Sequence, residues 1–260
     1  MIIYMQKPLI LITNDDGITA PGIRCLIAIM RELGEVVVVA PGSPQSGKGH
    51  AVTLDTTIYC DPVQSPLEGV REYACSGTPA DCVKIAKHEV LEGRLPDLCV
   101  SGINHGSNAS INVIYSGTMS AAIEAGTEGI PAIGFSLLDD SWEADFTQAR
   151  DFIKTIAEKV LTEGLPKGVV LNVNIPALKR EAIKGIRVCR SARGRWIERF
   201  DKRTSPQGRV YYWMTGEFIN NDLAEDTDIW ALDHGYISVV PVGFDLTVHE
   251  AIDTLNTWQL

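Results

Sequence analysis

Leu9-Ile10-Leu11-Ile12-Thr13-Asn14-Asp15-Asp16-Gly17 runs from five residues of strand character straight into two adjacent acids and a glycine. Working outward, residues 21–33 carry Ile23, Leu26, Ile27 and Met30 on one helical face. Pro21 suits the first turn of that helix, and Gly34 suits the position after its last. Val36-Val37-Val38-Val39-Ala40 then reads as a strand covered on both faces. The alternation continues: a helix over 79–91 approached through Ser76-Gly77-Thr78, a strand over 98–101, a helix over 117–128. A strand over 132–136, a helix over 145–161 and a strand over 169–173 follow. Strands alternating with helices require crossover connections, so the spacing predicts a single α/β domain over 1–260. Its core is a doubly wound, mostly parallel, Rossmann-like sheet.

From residue 187 the texture changes. Arg190, Arg193, Arg195, Arg199, Lys202 and Arg203 are interleaved with Trp196 and Phe200, and Ser205-Pro206-Gln207-Gly208 signals a turn before a β-prone run over 209–214. This reads as a long hairpin within a projecting arm over 187–235, with a strand over 237–241 and a helix over 247–258 closing the chain. An exposed aromatic hairpin suits a subunit contact; a sheet extension packed on its own chain is the other reading. The basic run 190–203 either reaches substrate from a neighbouring subunit or forms a solvated rim.

With 260 residues and 28.4 kDa, about 11,000 Å² of folded surface is expected, which leaves a large core that needs no disulfide or metal staple. Twenty-three basic against 33 acidic side chains give a net charge of −10, which opposes stable binding to nucleic acid. No apolar run approaches the roughly 20 residues that span a bilayer. Residues 1–8 lack the features of a secretory signal, so a cytoplasmic location is expected. Cys25, Cys60, Cys75, Cys82, Cys99 and Cys189 are scattered and read as reduced thiols.

In an open parallel sheet the ligand crevice lies beyond the carboxyl ends of the strands. The residues that follow each run, 14–17, 41–50 and 102–108, therefore open on one edge. Adjacent acids in a loop often cap a helix or face water, but Asp15 and Asp16 abut an apolar strand. Carboxylates held that close raise a pKa unless a cation intervenes. Asp15, Asp16, the Ser46 hydroxyl and the Asn104 carbonyl make an all-oxygen set, suited to Mg²⁺ or Mn²⁺ rather than zinc. Gly42 to Lys48 copies the spacing of a phosphate-binding P-loop. Gly49, however, stands where Ser or Thr is needed, and residues 51–59 alternate as a strand would. A nucleoside triphosphate loop is thereby excluded, while Gly47 can still offer its N–H to an anion. Ser116, Gly117 and Thr118 open a helix whose first-turn amides and hydroxyls suit a phosphate; ordinary capping by Ser116 or Thr118 shares that geometry. His50 and His105 border the site and are read as solvated loop residues; His88, His234 and His249 are read as structural.

Together, 12–18, 40–50, 77–83, 100–106 and 115–118, with Tyr211-Tyr212-Trp213 and Gly235-Tyr236-Ile237-Ser238 further on, resemble the SurE family. Those are stationary-phase survival proteins that act as metal-dependent nucleotidases. The resemblance implies an enzyme that releases phosphate from nucleoside 5′-monophosphates, and from 3′-monophosphates as well. It implies one divalent cation per subunit on Asp15, Asp16, Ser46 and Asn104, and phosphate-binding hydroxyls on Ser116 and Thr118. It further implies a homodimer or homotetramer with an exchanged C-terminal arm. Asp15 and Asp16 are the candidate catalytic pair, with attack by water and a covalent aspartyl-phosphate as open routes. The competing class is a non-catalytic Rossmann-type nucleotide-binding module; against it, no G-x-G-x-x-G follows the first strand. A purely structural assembly protein would leave the polar loops unexplained.

Overall fold

The computed structural model describes residues 7–258; residues 1–6, on which most of the signal-sequence reading rests, lie outside the described residues. The apolar run at the start forms β1 (Leu9–Thr13), wholly buried. Helix α1 (Pro21–Met30) carries the chain to β2 (Glu35–Pro41), which pairs with β1 in parallel, Leu11 opposite Val37. β3 (Cys60–Val63) and β4 (Arg71–Cys75) follow, then α2 (Pro79–Ile85) and β5 (Leu98–His105). Next come α3 (Gly117–Thr127), β6 (Ala132–Leu137), α4 (Arg150–Glu163) and β7 (Val169–Ile175). The chain ends with β8 (Ile186–Val188), β9 (Arg195–Thr204), β10 (Val210–Ile219), α5 (Asp228–Asp233), β11 (Ile237–Gly243) and α6 (His249–Asn256).

Among the described residues nine strands form one sheet in the order β3-β4-β2-β1-β5-β6-β7-β11-β8. Only the β3–β4 and β7–β11 pairings are antiparallel. Buried side chains form a core on each face: Ile10, Ile12, Val36, Val38 and Phe135 with α1 and α4, and Leu9, Leu11, Val37 and Val39 with α2 and α3. The doubly wound α/β sheet expected from the alternation is therefore present.

Several boundaries differ from expectation. The helix expected over 79–91 is α2 followed by a π-helical turn at Ala86–Val90. It starts where the cap residues indicated: Thr78 Oγ1 accepts from Asp81 N at 3.2 Å, and the Asp81 carboxylate accepts from Thr78 N at 2.8 Å. The helix expected from 145 opens as a 3-10 turn at Phe146–Ala149 before α4. β5 continues past Ser101 to His105, with a register shift between Ser101 and Asn104 against β6. Helix α1 rests on that extension through Gly22, where a Cβ would lie 2.0 Å from the Ile103 carbonyl oxygen. Residues 51–59, expected to be strand-like, are irregular, and the hairpin β3–β4 comes after them. β9 and β10 make a separate two-stranded sheet with Trp213 opposite Asp201, as the hairpin reading anticipated.

Candidate active site

The strand order reverses at β1, with β2 on one side and β5 on the other, and a crevice forms at such a switch point. Asp15 stands there, 3% exposed. The Thr118 hydroxyl donates to Asp15 Oδ1 at 2.5 Å. Gly117 abuts the same carboxylate: a Cβ there would lie 2.6 Å from Asp15 Cβ and 2.8 Å from Oδ2, so only glycine lets the start of α3 come this near. Burial pushes the Asp15 carboxyl up to about 6, opposed by the Thr118 hydrogen bond. The neighbouring Asp16 charge, the cause expected from the sequence, contributes less than the loss of water.

Asp16 Oδ2 accepts from His105 twice, from the backbone N at 3.2 Å and from ring Nδ1 at 2.9 Å. The ring stacks on Trp142 with centroids 5.2 Å apart and meets the edge of Phe146 at 4.9 Å. Among the described residues its buried Nε2 has no partner. The expectation of a solvated loop histidine is thus corrected: the aromatic wall formed by Trp142 and Phe146 removes His105 from water and aims Nδ1 at Asp16. His50 is not free either, since its Nε2 lies 2.7 Å from the Glu124 carboxylate, which Lys84 also contacts at 2.5 Å.

Asn104 donates its amide nitrogen to the carbonyls of His105 at 2.8 Å and Gly106 at 2.9 Å, which leaves the carbonyl oxygen as its unspent end. The second loop is sewn to the first by Ile18 N to Pro41 O at 2.8 Å and by Gln45 N to Asp15 O at 2.7 Å. Ser46, exposed, therefore follows a residue bonded to the Asp15 backbone. Gly47 is exposed with φ +74°, and Lys48 Nζ turns back onto Gln45 Oε1 at 2.6 Å. Ser116 Oγ accepts from Met119 N at 3.0 Å. The Ser116 hydroxyl thus caps α3 and the Thr118 hydroxyl serves Asp15. What this segment offers an anion is chiefly the positive end of the helix.

Four loops distant in sequence thus converge, and the donors fit a hard cation. Asp15 Oδ2, the other Asp16 oxygen, the Asn104 carbonyl and the Ser46 hydroxyl are all oxygen, and each is left over from the contacts above. Among the described residues no three His, Cys, Asp or Glu side chains gather as a metal site, so a cation at the two acids would draw on neutral oxygens such as those of Ser46 and Asn104 as well.

A second tier of residues escaped the sequence reading. Asn108 N donates to Asn174 Oδ1, Asn108 Nδ2 to Ser136 Oγ and Asn172 Nδ2 to the Asn108 carbonyl, each at 2.8 Å, all buried. Two asparagines spaced i, i+2 in the apolar run Val169–Ile175 were the available signal. Asp228, fully buried, accepts from Ser110 N at 2.8 Å and Ala192 N at 2.9 Å. It ties the loop beyond Asn104 to the root of the hairpin, and no local pattern announced it.

Fold and site define an α/β protein of the doubly wound class with an oxygen-lined acidic centre at its switch point. The family model described as Survival protein SurE matches residues 10–198. A protein named 5′-nucleotidase SurE from Flavobacterium psychrophilum is 64% identical over 98% of this chain and 99% of its own length. One of the same name from Christiangramia forsetii is 67% identical over 98% of each. The crystal structure of the SurE protein from Aquifex aeolicus superposes with a TM-score of 0.83 at 39% identity, covering 96% of this chain and 98% of that one. The chain belongs to the SurE family.

Proposed function

We propose that this protein is a 5′-nucleotidase that hydrolyses nucleoside monophosphates to nucleoside and phosphate, with one divalent cation, Mg²⁺ or Mn²⁺, held by Asp15, Asp16, Ser46 and Asn104. The observation that carries it is the meeting of Asp15 with Thr118 and of Asp16 with His105 at the switch point of the sheet, where the loop before Ser46 is also bonded to the Asp15 backbone. The relatives bearing the name 5′-nucleotidase SurE support the substrate class. A bound cation would neutralise charge on the phosphoryl oxygens. Asp15, held by Thr118, and Asp16, held by His105, present the carboxylates; the backbone N–H of Gly47 and the positive end of α3 at Ser116, Gly117 and Thr118 would draw the phosphate. A cavity of ≈ 460 Å³ opens beside Ser116 between Val113, Ile123 and Phe244, with apolar walls suited to a nucleoside. Hydrolysis of 3′-monophosphates follows from the same phosphate site if the nucleoside is held only by such walls.

Oligomerisation through the arm, residues 187–235, belongs to this reading. The chain exposes 14680 Å², against about 11,000 Å² expected for a compact monomer of its mass. Phe200 and Met214, opposite one another on β9 and β10, and Trp213 on the other face of the hairpin are 60% exposed or more, apolar surface that suits a partner. Among the described residues no helix is long and apolar enough to cross a membrane, and we place the enzyme in the cytoplasm.

Phosphate release from AMP and 3′-AMP, measured after chelation and again with added Mn²⁺, tests the proposal. Loss on chelation with recovery on Mn²⁺ or Mg²⁺ is expected; undiminished activity after exhaustive chelation would refute the metal assignment. Recovery with zinc alone would contradict the hard-oxygen site.

A further inference from the structure

Three of the six cysteines come together where β4 and the edge strand β3 meet α2. Cys60 opens β3 and stands opposite Cys75 in the antiparallel register with β4. Ser76 N donates to Tyr59 O at 2.9 Å, so the hydrogen-bonded pair is the neighbouring one and Cys60–Cys75 is the narrow, non-hydrogen-bonded pair. In such a pair the Cα atoms are about 4.5 Å apart and the side chains stand on the same face. That lies within the roughly 4.4–6.8 Å a disulfide spans without backbone movement. Both side chains pack against the same core, which includes Cys82. β3 is the outermost strand, and Cys60 is partly exposed while Cys75 is buried.

We propose that Cys60 and Cys75 are a dithiol that a hydroperoxide oxidises to a cross-strand disulfide. The peroxide transfers one oxygen to the Cys60 sulfur, giving a sulfenic acid and releasing water or an alcohol. The Cys75 sulfur then attacks the Cys60 sulfur. The S–S bond forms as the S–O bond breaks, and the departing hydroxide leaves as water with the Cys75 proton. Two thiols lose two electrons and two protons, and the peroxide accepts them. The surroundings divide these roles. Burial pushes the Cys60 thiol up to about 11, so it reacts only under sustained oxidant. A hydrogen bond from the Cys82 thiol outweighs burial at Cys75, and the Gly77 N–H, 3.3 Å from its sulfur, adds to it. Together they hold Cys75 below the usual thiol range, ready to resolve the oxidised partner. The bond would close the loop over 60–75 and restrict the unfolded chain.

The test is hydrogen peroxide on the full-length reduced protein, followed by alkylation, intact mass and a non-reducing tryptic map. A loss of 2 Da is expected on sustained exposure to the peroxide, reversed by dithiothreitol, with a higher melting temperature in the oxidised form. Cleavage after Lys48, Arg71 and Lys84 separates Cys60, in 49–71, from Cys75 and Cys82, both in 72–84. The expected link therefore joins two peptides. A link confined to 72–84, or no mass loss, would overturn the proposal. Cys60→Ser, at the exposed edge, should abolish the loss of 2 Da, and Cys82→Ser should keep it; retention in Cys60→Ser would equally overturn it.

Discussion

Asp15 combines three constraints: burial at the end of β1, a hydroxyl from Thr118 at 2.5 Å, and a glycine where any side chain would collide. At pH 8 Asp15→Asn should cut AMP hydrolysis by roughly 10³-fold while leaving the melting temperature unchanged or higher. The amide can still accept from Thr118, and it removes a carboxylate that burial disfavours. Parallel turnover and calorimetric melting check this, and full activity would take Asp15 out of the site. His105 holds the Asp16 carboxylate through Nδ1. His105→Ala should weaken Mn²⁺ binding by about 10- to 100-fold. His105→Asn, whose amide can reach the same place, should restore most of it, and His105→Gln should not. Titration calorimetry separates the three. The acids, Ser46 and Asn104 stood out in the sequence because each directly follows, or lies shortly after, a run of strand residues. His105 was not, because its environment is supplied by Trp142 and Phe146, which approach only when the chain folds.

Among elements, the seat of α1 on the bulged end of β5 is set by Gly22. Gly22→Ala places a methyl against backbone that has no room to yield, and a loss of about 3 kcal/mol is expected in urea unfolding. Helix α3 is held from the other side by Glu124, which joins His50 and Lys84. The His50 hydrogen bond, opposed by burial and reinforced by Lys84, lowers the Glu124 carboxyl below its usual range. A carboxyl whose folded pKa is depressed stabilises above its unfolded value and loses that contribution as pH falls through the folded one. Glu124→Gln should therefore cost about 1–2 kcal/mol at pH 7, with the difference from wild type shrinking once pH falls below the ordinary glutamate value of about 4.3 and gone when it has passed the depressed folded value. Equal losses at pH 7 and pH 3 would contradict the pairing. The buried strands and amphipathic helices could be read from periodicity. β3 and β4 could not: their residues are short, mixed and partly exposed, and pairing along the sheet rather than local pattern makes them strands. The extension of β5 was hidden by Gly102, which reads as a strand end but sits where a Cβ would strike the Phe135 carbonyl at 2.3 Å.

At the scale of the whole molecule, β9 and β10 form a sheet of their own that leaves Phe200, Trp213 and Met214 exposed. Replacing residues 196–218 by a short glycine-serine turn should leave the melting temperature within a few degrees, because β9 and β10 pair chiefly with each other. Light scattering should then report a smaller assembly than the intact chain gives. An unchanged mass would remove the arm from the interface. The sheet, its switch point and the loops on one edge were legible because crossover topology forces parallel strands to share a direction. The buried asparagine network and Asp228 were not, since they join segments such as 108 with 174 and 110 with 228.

Anomalous diffraction from crystals soaked in manganese tests most directly whether the far-apart loops build one cation centre. One peak per chain is expected, bounded by oxygens of Asp15, Asp16, Ser46 and Asn104. A map with no peak there, or with manganese bound only elsewhere, would contradict it.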